Sequence, residues 1–204
     1  MKIGIFGLPN SGKSQLRRHL VAHLRQLGHT VEHWDADRFE KARCPEDEDM
    51  KEPPETFDAK TIWLIEDVRG TVILDAVRSS IAVMLGRRDG AWRPIPYYDQ
   101  ILYLAPDWPT YAAFWVSRAL QWHKNGKGDW TREKGWENLG EEEAILKKTQ
   151  RYLLRREEWM RADREVLPPY TQFVVPYLDK DAQDVVWRGL DSGDGTLATL
   201  MKRG

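Results

Sequence analysis

Short apolar runs alternate with amphipathic stretches along the chain. The runs that have the length of buried strands are 2–6, 30–34, 71–75, 100–104 and 172–177. Behind the first run, Leu16, Leu20, Leu24 and Leu27 recur every three or four residues and Gly28 follows them, which predicts a helix with a glycine cap. Five strands that alternate with helices predict an α/β fold, with a five-stranded, mostly parallel sheet covered by helices on both faces.

The remaining segments complete this organisation. Further helices are predicted at 59–68, at 79–85, from Pro109 onwards, at 141–164 and at 182–190. An acidic, proline-containing loop spans about 44–58, and a glycine-rich excursion lies within a lid at about 117–140. We find no internal repeat and no low-complexity tract, and the chain length predicts a single domain over 1–204.

Composition narrows the classes of protein. The 204 residues carry 31 Lys and Arg against 32 Asp and Glu, a net charge of −1, so the basic field typical of polymer binders is missing. A single cysteine, Cys44, excludes an internal disulfide framework and fits a reducing compartment. The first apolar run is too short for a signal peptide, and no run has the length of a membrane span. We therefore expect a soluble cytoplasmic protein without a membrane partner.

The segment between the first strand and the first helix has the spelling G-x-x-x-x-G-K-[ST]. Its candidate ligand-binding residues are Gly7, Asn10, Ser11, Gly12, Lys13 and Ser14. Glycines let several backbone N–H groups approach phosphate oxygens, and the following helix points its N terminus at the anion. In this motif Lys13 reaches the β- and γ-phosphates and Ser14 places its hydroxyl on Mg²⁺. The motif predicts binding of a nucleoside triphosphate, with ATP and Mg²⁺ as the expected cofactors.

Two carboxylates follow the second strand. Asp35 and Asp37 come where the carboxyl ends of parallel strands line the ligand crevice. Either carboxylate can accept the proton of an attacking hydroxyl as a general base. Asp37 can instead cap the next helix. These residues add a catalytic function to the predicted phosphate site.

Other motifs and the chain length indicate which class of P-loop protein this sequence fits. We find no N-K-x-D segment of the GTPases, and the D-x-x-G spelling at 67–70 precedes the predicted third strand. Large ATPases need a longer chain, which leaves mainly the small kinases. GLPNSGKS, the helix ending at Leu27-Gly28 and GHTVEHWDADR resemble the adenylylsulfate kinases and the polynucleotide 5′-hydroxyl kinases. This resemblance implies a P-loop NTPase-type three-layer sandwich, an aspartate base at Asp35 or Asp37, and Arg38 as an arginine that binds acceptor or phosphate.

The resemblance extends less strongly to residues 70–120. It implies that Asp75, after the apolar run 71–75, holds the Mg²⁺ shell or orients an arginine, although Asp75 can also cap a helix. The segment from Asp107 to Arg118 is similar to the lid helix of small kinases, which implies that Arg118 contacts the transferring phosphoryl group. The sulfate-acceptor segment F-I-S-P-Y-R of adenylylsulfate kinases is not matched at 75–79. Adenylylsulfate is therefore a doubtful acceptor.

The leading hypothesis is a Mg²⁺–ATP-dependent kinase that phosphorylates a hydroxyl of a nucleotide-like or other small acceptor. Its alternatives are a kinase of DNA or RNA hydroxyls, a nucleoside monophosphate kinase and, least favoured, a non-catalytic nucleotide switch. Five tryptophans near the lid, at 108, 115, 122, 130 and 136, favour a polymer if they stack bases, but burial is the commoner fate of tryptophan. The basic face of helix 141–164 is either solvated or contributes arginines to the site.

Overall fold

The computed structural model describes residues 1–35, 56–66, 98–124, 138–167, 169–179 and 184–190. Six strands and three helices lie in these ranges. The strands are β1 (Lys2–Gly7), β2 (Thr30–Asp35), β3 (Thr61–Glu66), β4 (Gln100–Leu104), β5 (Gln172–Asp179) and β6 (Asp184–Arg188). The helices are α1 (Lys13–Gln26), α2 (Trp108–Lys124) and α3 (Glu141–Val166).

The strands form one mostly parallel mixed sheet in the order β2-β3-β1-β4-β5-β6. The first five strands are parallel, with Ile3 of β1 opposite Leu64 of β3 and Gln100 of β4. Only β6 runs antiparallel, as the partner of β5. The carboxyl ends of β2 and β3 therefore lie on one side of β1, and those of β4 and β5 lie on the other. The predicted α/β class is confirmed, with six strands instead of five.

Alternate side chains of the strands pack into two separate hydrophobic cores, one on each face of the sheet. Ile3 and Ile5 of β1 pack with the leucines of α1, whereas Phe6 packs with residues of α2 and α3 such as Tyr111 and Trp159. Successive side chains of a strand point to opposite faces, so the helices cover both faces of the sheet. Among the described helices none is long and apolar enough to cross a membrane.

Several predicted elements are confirmed. The first helix ends as expected, since Gly28 has φ 84° and its N–H donates to the Arg25 carbonyl at 3.0 Å. The helix from Pro109 and the helix 141–164 correspond to α2 and α3. Glutamates at 141–143 place negative charge in the first turn of α3, where it favours the helix dipole. The strands at 2–6, 30–34, 100–104 and 172–177 are also present.

Two predicted helices are wrong. Residues 59–68 contain β3, which is buried at all six positions, so its continuous apolar run carried no helical periodicity. Residues 182–190 contain β6, where Val185, Val186 and Trp187 fit a pleated surface better than a helix. The predicted strand 71–75, the helix 79–85, and most of the acidic loop and the lid lie outside the described residues.

Candidate functional site

The turn between β1 and α1 contains three residues with left-handed backbone angles: Gly7 (φ 147°), Asn10 (φ 61°) and Gly12 (φ 94°). A Cβ atom on Gly7 would lie 2.7 Å from Ser11 Oγ and 2.8 Å from the Leu104 carbonyl oxygen, so only glycine fits. No side chain among the described residues caps the N terminus of α1. The helix therefore points its N terminus, with its first-turn N–H groups and the positive end of its dipole, at the turn, a position that suits an anion.

Lys13 lies at the centre of this turn. The side chain is charged, yet the residue is only 4% exposed. Its Nζ donates to the carbonyl oxygens of Gly7 at 3.1 Å and Leu8 at 2.6 Å, and to Ser11 Oγ at 3.4 Å. An ammonium held by loop carbonyls can exchange them for phosphate oxygens, which bind it more strongly because they are charged.

Two buried carboxylates stand beside this turn at the ends of neighbouring strands. Asp35 and Glu66 end β2 and β3, are opposite each other in the sheet, and are each 3% exposed. Ser14 Oγ donates to Glu66 Oε1 at 2.8 Å, and Arg17 Nε donates to Glu66 Oε2 at 3.2 Å. The fully buried Arg17 also contacts His33 Nδ1. Both oxygens of Glu66 are thus engaged at the start of α1.

The donor set at Ser14 suits a hard divalent cation. A hydroxyl that gives its proton to a carboxylate keeps its lone pairs for a metal, and the carboxylate orients it. Within the described ranges no group of three or more His, Cys, Asp and Glu side chains could hold a metal ion. Mg²⁺ usually takes one or two protein oxygens together with waters and substrate phosphates, so the pair Ser14 and Glu66 fits it.

Glu66 is the residue that sequence reasoning missed. The run Thr61–Glu66 has the pattern of an apolar strand that ends in an acid, the same pattern that singled out Asp75. Assigning 59–68 to a helix hid this signal. Because β3 ends at Glu66, the D-x-x-G spelling at 67–70 directly follows the third described strand. Its position is therefore no longer a reason to set this motif aside. Those four residues lie outside the described part of the chain.

The other predicted site residues divide into two groups. Asp37, Arg38 and Asp75 lie outside the described residues. Arg118 is described: it is exposed on α2, and its guanidinium lies 5.4 Å from the ring centroid of Trp122. The structure therefore brings together Lys13, Ser14 and the ends of β2 and β3, and gives Arg118 an aromatic neighbour on its own helix.

The described tryptophans near the predicted lid serve mainly as core. Trp115 is 2% exposed and stacks on Tyr152 with ring centroids 4.4 Å apart. Trp122 is half-buried against the same cluster. Trp108 is exposed, and positions 130 and 136 lie outside the described residues. Burial of Trp115 removes it from any surface that could stack bases.

Polar contacts tie α2 to the turn and α3 to α2. Tyr111 Oη, on α2, donates to the carbonyl oxygen of Pro9 at 3.1 Å. Arg156, on α3, donates to the carbonyl oxygen of Pro106, and its guanidinium lies 5.9 Å from the centroid of the Tyr111 ring. Burial lowers the pKa of Arg156. The Tyr111 contact fixes α2 against the turn, and the Arg156 contacts fix α3 against α2 and the segment before it.

A buried carboxyl lies next to this arrangement. Asp163 of α3 is fully buried and accepts a hydrogen bond from Tyr103 Oη, while its Oδ1 has no partner among the described residues. Burial raises the pKa of Asp163 to about 7, although the Tyr103 hydrogen bond and the charge of Lys13 lower it. Burial and the neighbouring Asp163 raise the pKa of Tyr103, which keeps it a donor.

We expect Asp163 to make the stability depend on pH. An unfolded aspartate titrates near pH 4, so between about pH 4 and pH 7 the native carboxyl holds a proton that the unfolded one has lost. The free energy of unfolding therefore falls as the pH rises through this window, by about 1.4 kcal/mol for each unit of pKa difference. Asp163→Asn removes this loss, so the variant gains stability relative to the wild type from pH 4.5 to pH 7.5.

Urea unfolding at several pH values measures this difference. Leu154→Ala, an exposed and non-titratable change on the same helix, is the control and should give a difference that does not vary with pH. A pH-independent difference for Asp163→Asn would contradict the assignment.

No model of a protein family matches the chain, and the comparison with curated proteins found no match.

Proposed function

We propose that the protein is a Mg²⁺–ATP-dependent kinase that transfers the γ-phosphoryl group to a hydroxyl of a nucleotide-like or other small acceptor. The observation that carries this proposal is the contact of Ser14 with Glu66 directly beside Lys13. It places a hydroxyl, a carboxylate and a buried ammonium around one turn at the N terminus of α1. In this proposal the fold is a P-loop NTPase-type three-layer sandwich.

The turn holds the phosphates in this proposal. The N–H groups at the start of α1 and the Lys13 ammonium neutralise the charge of the β- and γ-phosphates. Lys13 leaves the carbonyl oxygens of Gly7 and Leu8, which lie within 3.1 Å of its Nζ, when phosphate oxygens replace them. Ser14 would hold the Mg²⁺ with Glu66 orienting its hydroxyl, and the metal would supply electrostatic stabilisation of the transferring group.

Asp35 takes the proton from the attacking hydroxyl. Glu66 is less available as a base because Ser14 and Arg17 engage both of its oxygens. Asp35 stands beside it at the same edge of the sheet. A second carboxylate with a different environment suits the base, and Asp37 stays an alternative for this function. Arg118 on α2 remains the candidate lid arginine.

A small acceptor is favoured over a polymer by the burial of Trp115, since a groove for single strands needs aromatic rings that bases can reach. The net charge of −1 supports the same choice. A nucleoside monophosphate kinase would use arginines to bind its acceptor and would not need Asp35 as a base. A non-catalytic switch would need neither acceptor-binding arginines nor a catalytic base.

Transfer of label from γ-labelled ATP tests the proposal. One reaction contains nucleosides, nucleotides and small alcohols, and the other contains DNA and RNA with free 5′ ends and hydroxymethylated bases. We expect label in the small-molecule reaction, in a Mg²⁺-dependent manner. Label on polymer would overturn the choice of acceptor, and label only on nucleoside monophosphates would overturn the hydroxyl chemistry. Nucleotide binding without any transfer to either pool would favour the switch.

A further inference from the structure

Two aromatic rings from distant parts of the chain converge on Gly12. A Cβ atom built on Gly12 would lie 3.3 Å from Phe114 Cε2 and 3.4 Å from Trp187 CH2. Phe114 belongs to α2 and Trp187 belongs to β6, and both residues are half-buried. Gly12 is the residue before Lys13 and the N-cap of α1. An aromatic pair therefore borders the turn proposed to hold phosphates.

A hydrogen bond on α2 and core packing on β6 fix the positions of the two rings. Tyr111, three residues before Phe114 on the same face of α2, binds the Pro9 carbonyl through its hydroxyl and sets the helix against the turn. Trp187 packs against the core cluster that contains Ile3 and the leucines of α1. Rings whose positions are already fixed in this way would bind a ligand without a large loss of side-chain entropy.

The pair lies on the opposite side of β1 from the two carboxylates. In the sheet order β2-β3-β1-β4-β5-β6, Asp35 and Glu66 end strands on one side of β1. Trp187 lies on the strand farthest from them, and α2 follows β4 on the same side as β6. A nucleoside triphosphate is an extended molecule with its γ-phosphate at one end and its base at the other. If the γ-phosphate points towards the carboxylates, the base extends towards the aromatic rings.

We infer that Phe114 and Trp187 form the stacking platform for the base of the nucleoside triphosphate bound at the 7–14 turn. This inference rests on the proposed function and assigns the part of the ligand that the turn itself does not contact. Every base has a π face, so stacking tolerates different bases and both ATP and GTP are suitable probes. Inorganic tripolyphosphate is the complementary probe because it has the phosphates and no base.

Calorimetric titration with Mg²⁺–ATP and with Mg²⁺–tripolyphosphate tests the platform. The wild type should bind ATP more tightly than tripolyphosphate. Trp187→Ala should weaken ATP binding about tenfold or more, the equivalent of about 1.4 kcal/mol, and leave tripolyphosphate binding unchanged. Phe114→Leu should act in the same direction. Val186→Ala, an exposed change on β6, is the control and should alter neither affinity.

Each other outcome overturns the inference. Equal losses for ATP and tripolyphosphate would make the rings supports of the turn, and no loss would remove them from the site. If the wild type binds tripolyphosphate and ATP equally, the platform fails while the phosphate site stands. If the wild type binds neither ATP nor tripolyphosphate, both the platform and the proposed function are wrong. Should Trp187→Ala unfold the protein, Trp187→Leu keeps an apolar side chain against the core and repeats the comparison.

Discussion

Lys13→Ala should reduce phosphoryl transfer by about 10³-fold or more, since removing one preorganised electrostatic contact to developing charge costs 10²–10³-fold and Lys13 also binds the ground state. Lys13 is 4% exposed, and its ammonium bonds to the carbonyl oxygens of Gly7 and Leu8 in the turn. Desolvation strengthens its interaction with phosphate relative to a surface lysine. The measurement is kcat/KM for label transfer from ATP, together with ATP affinity by calorimetry.

Lys60→Ala is the matched control for that loss. Lys60 is exposed immediately before β3, at the amino ends of the strands, on the edge of the sheet opposite the site. We expect its kcat/KM to stay within twofold of the wild type. Transfer by Lys13→Ala at the wild-type rate would exclude the 7–14 turn as the phosphate site.

Asp35→Asn and Glu66→Gln should affect different parameters of the same reaction. Asp35→Asn keeps the shape of the side chain and removes its basicity, so kcat should fall by about 10²–10⁴-fold with the Mg²⁺ requirement unchanged. Glu66→Gln should instead raise the Mg²⁺ concentration needed for half-maximal transfer, because Ser14 loses the carboxylate that orients its hydroxyl. The measurement is initial transfer rate across a Mg²⁺ titration for each variant.

Glu32→Gln, on the same strand as Asp35 but three residues towards its amino end, controls for loss of charge on β2. An identical change in both parameters for the Asp35 and Glu66 variants would argue against the division of functions between the two carboxylates. A normal kcat for Asp35→Asn combined with a large loss for Asp37→Asn would assign the base to Asp37.

The predicted elements that are confirmed share a strong local pattern. The leucine spacing of α1 and the glycine at 28 define that helix without reference to any other part of the chain. The two elements that were wrong lack such a pattern. The run Thr61–Glu66 is apolar on both faces because neighbouring strands and the two cores bury it completely, and local periodicity does not report burial of that kind.

The candidate site shows the same division between local and long-range information. Gly7, Gly12, Lys13 and Ser14 were found from spacing alone, because all four lie within one turn of the chain. Glu66 was not found, because it lies 52 residues from Ser14 in the sequence and meets it only through the pairing of β1 with β3. The aromatic pair at Gly12 was also invisible, since Phe114 and Trp187 come from different elements.

The sequence by itself determined the α/β class, the amphipathic helices and the turn at 7–14, because each of these depends on residues that are close together in the chain. Only the tertiary structure decided which acid stands beside Ser14, that Asp35 and Glu66 are neighbours, and that β6 closes the sheet antiparallel to β5. The physical reason is that strand order is set by the burial of both faces of the sheet. Which strands become neighbours depends on the packing of the whole chain and has no signature in any one segment.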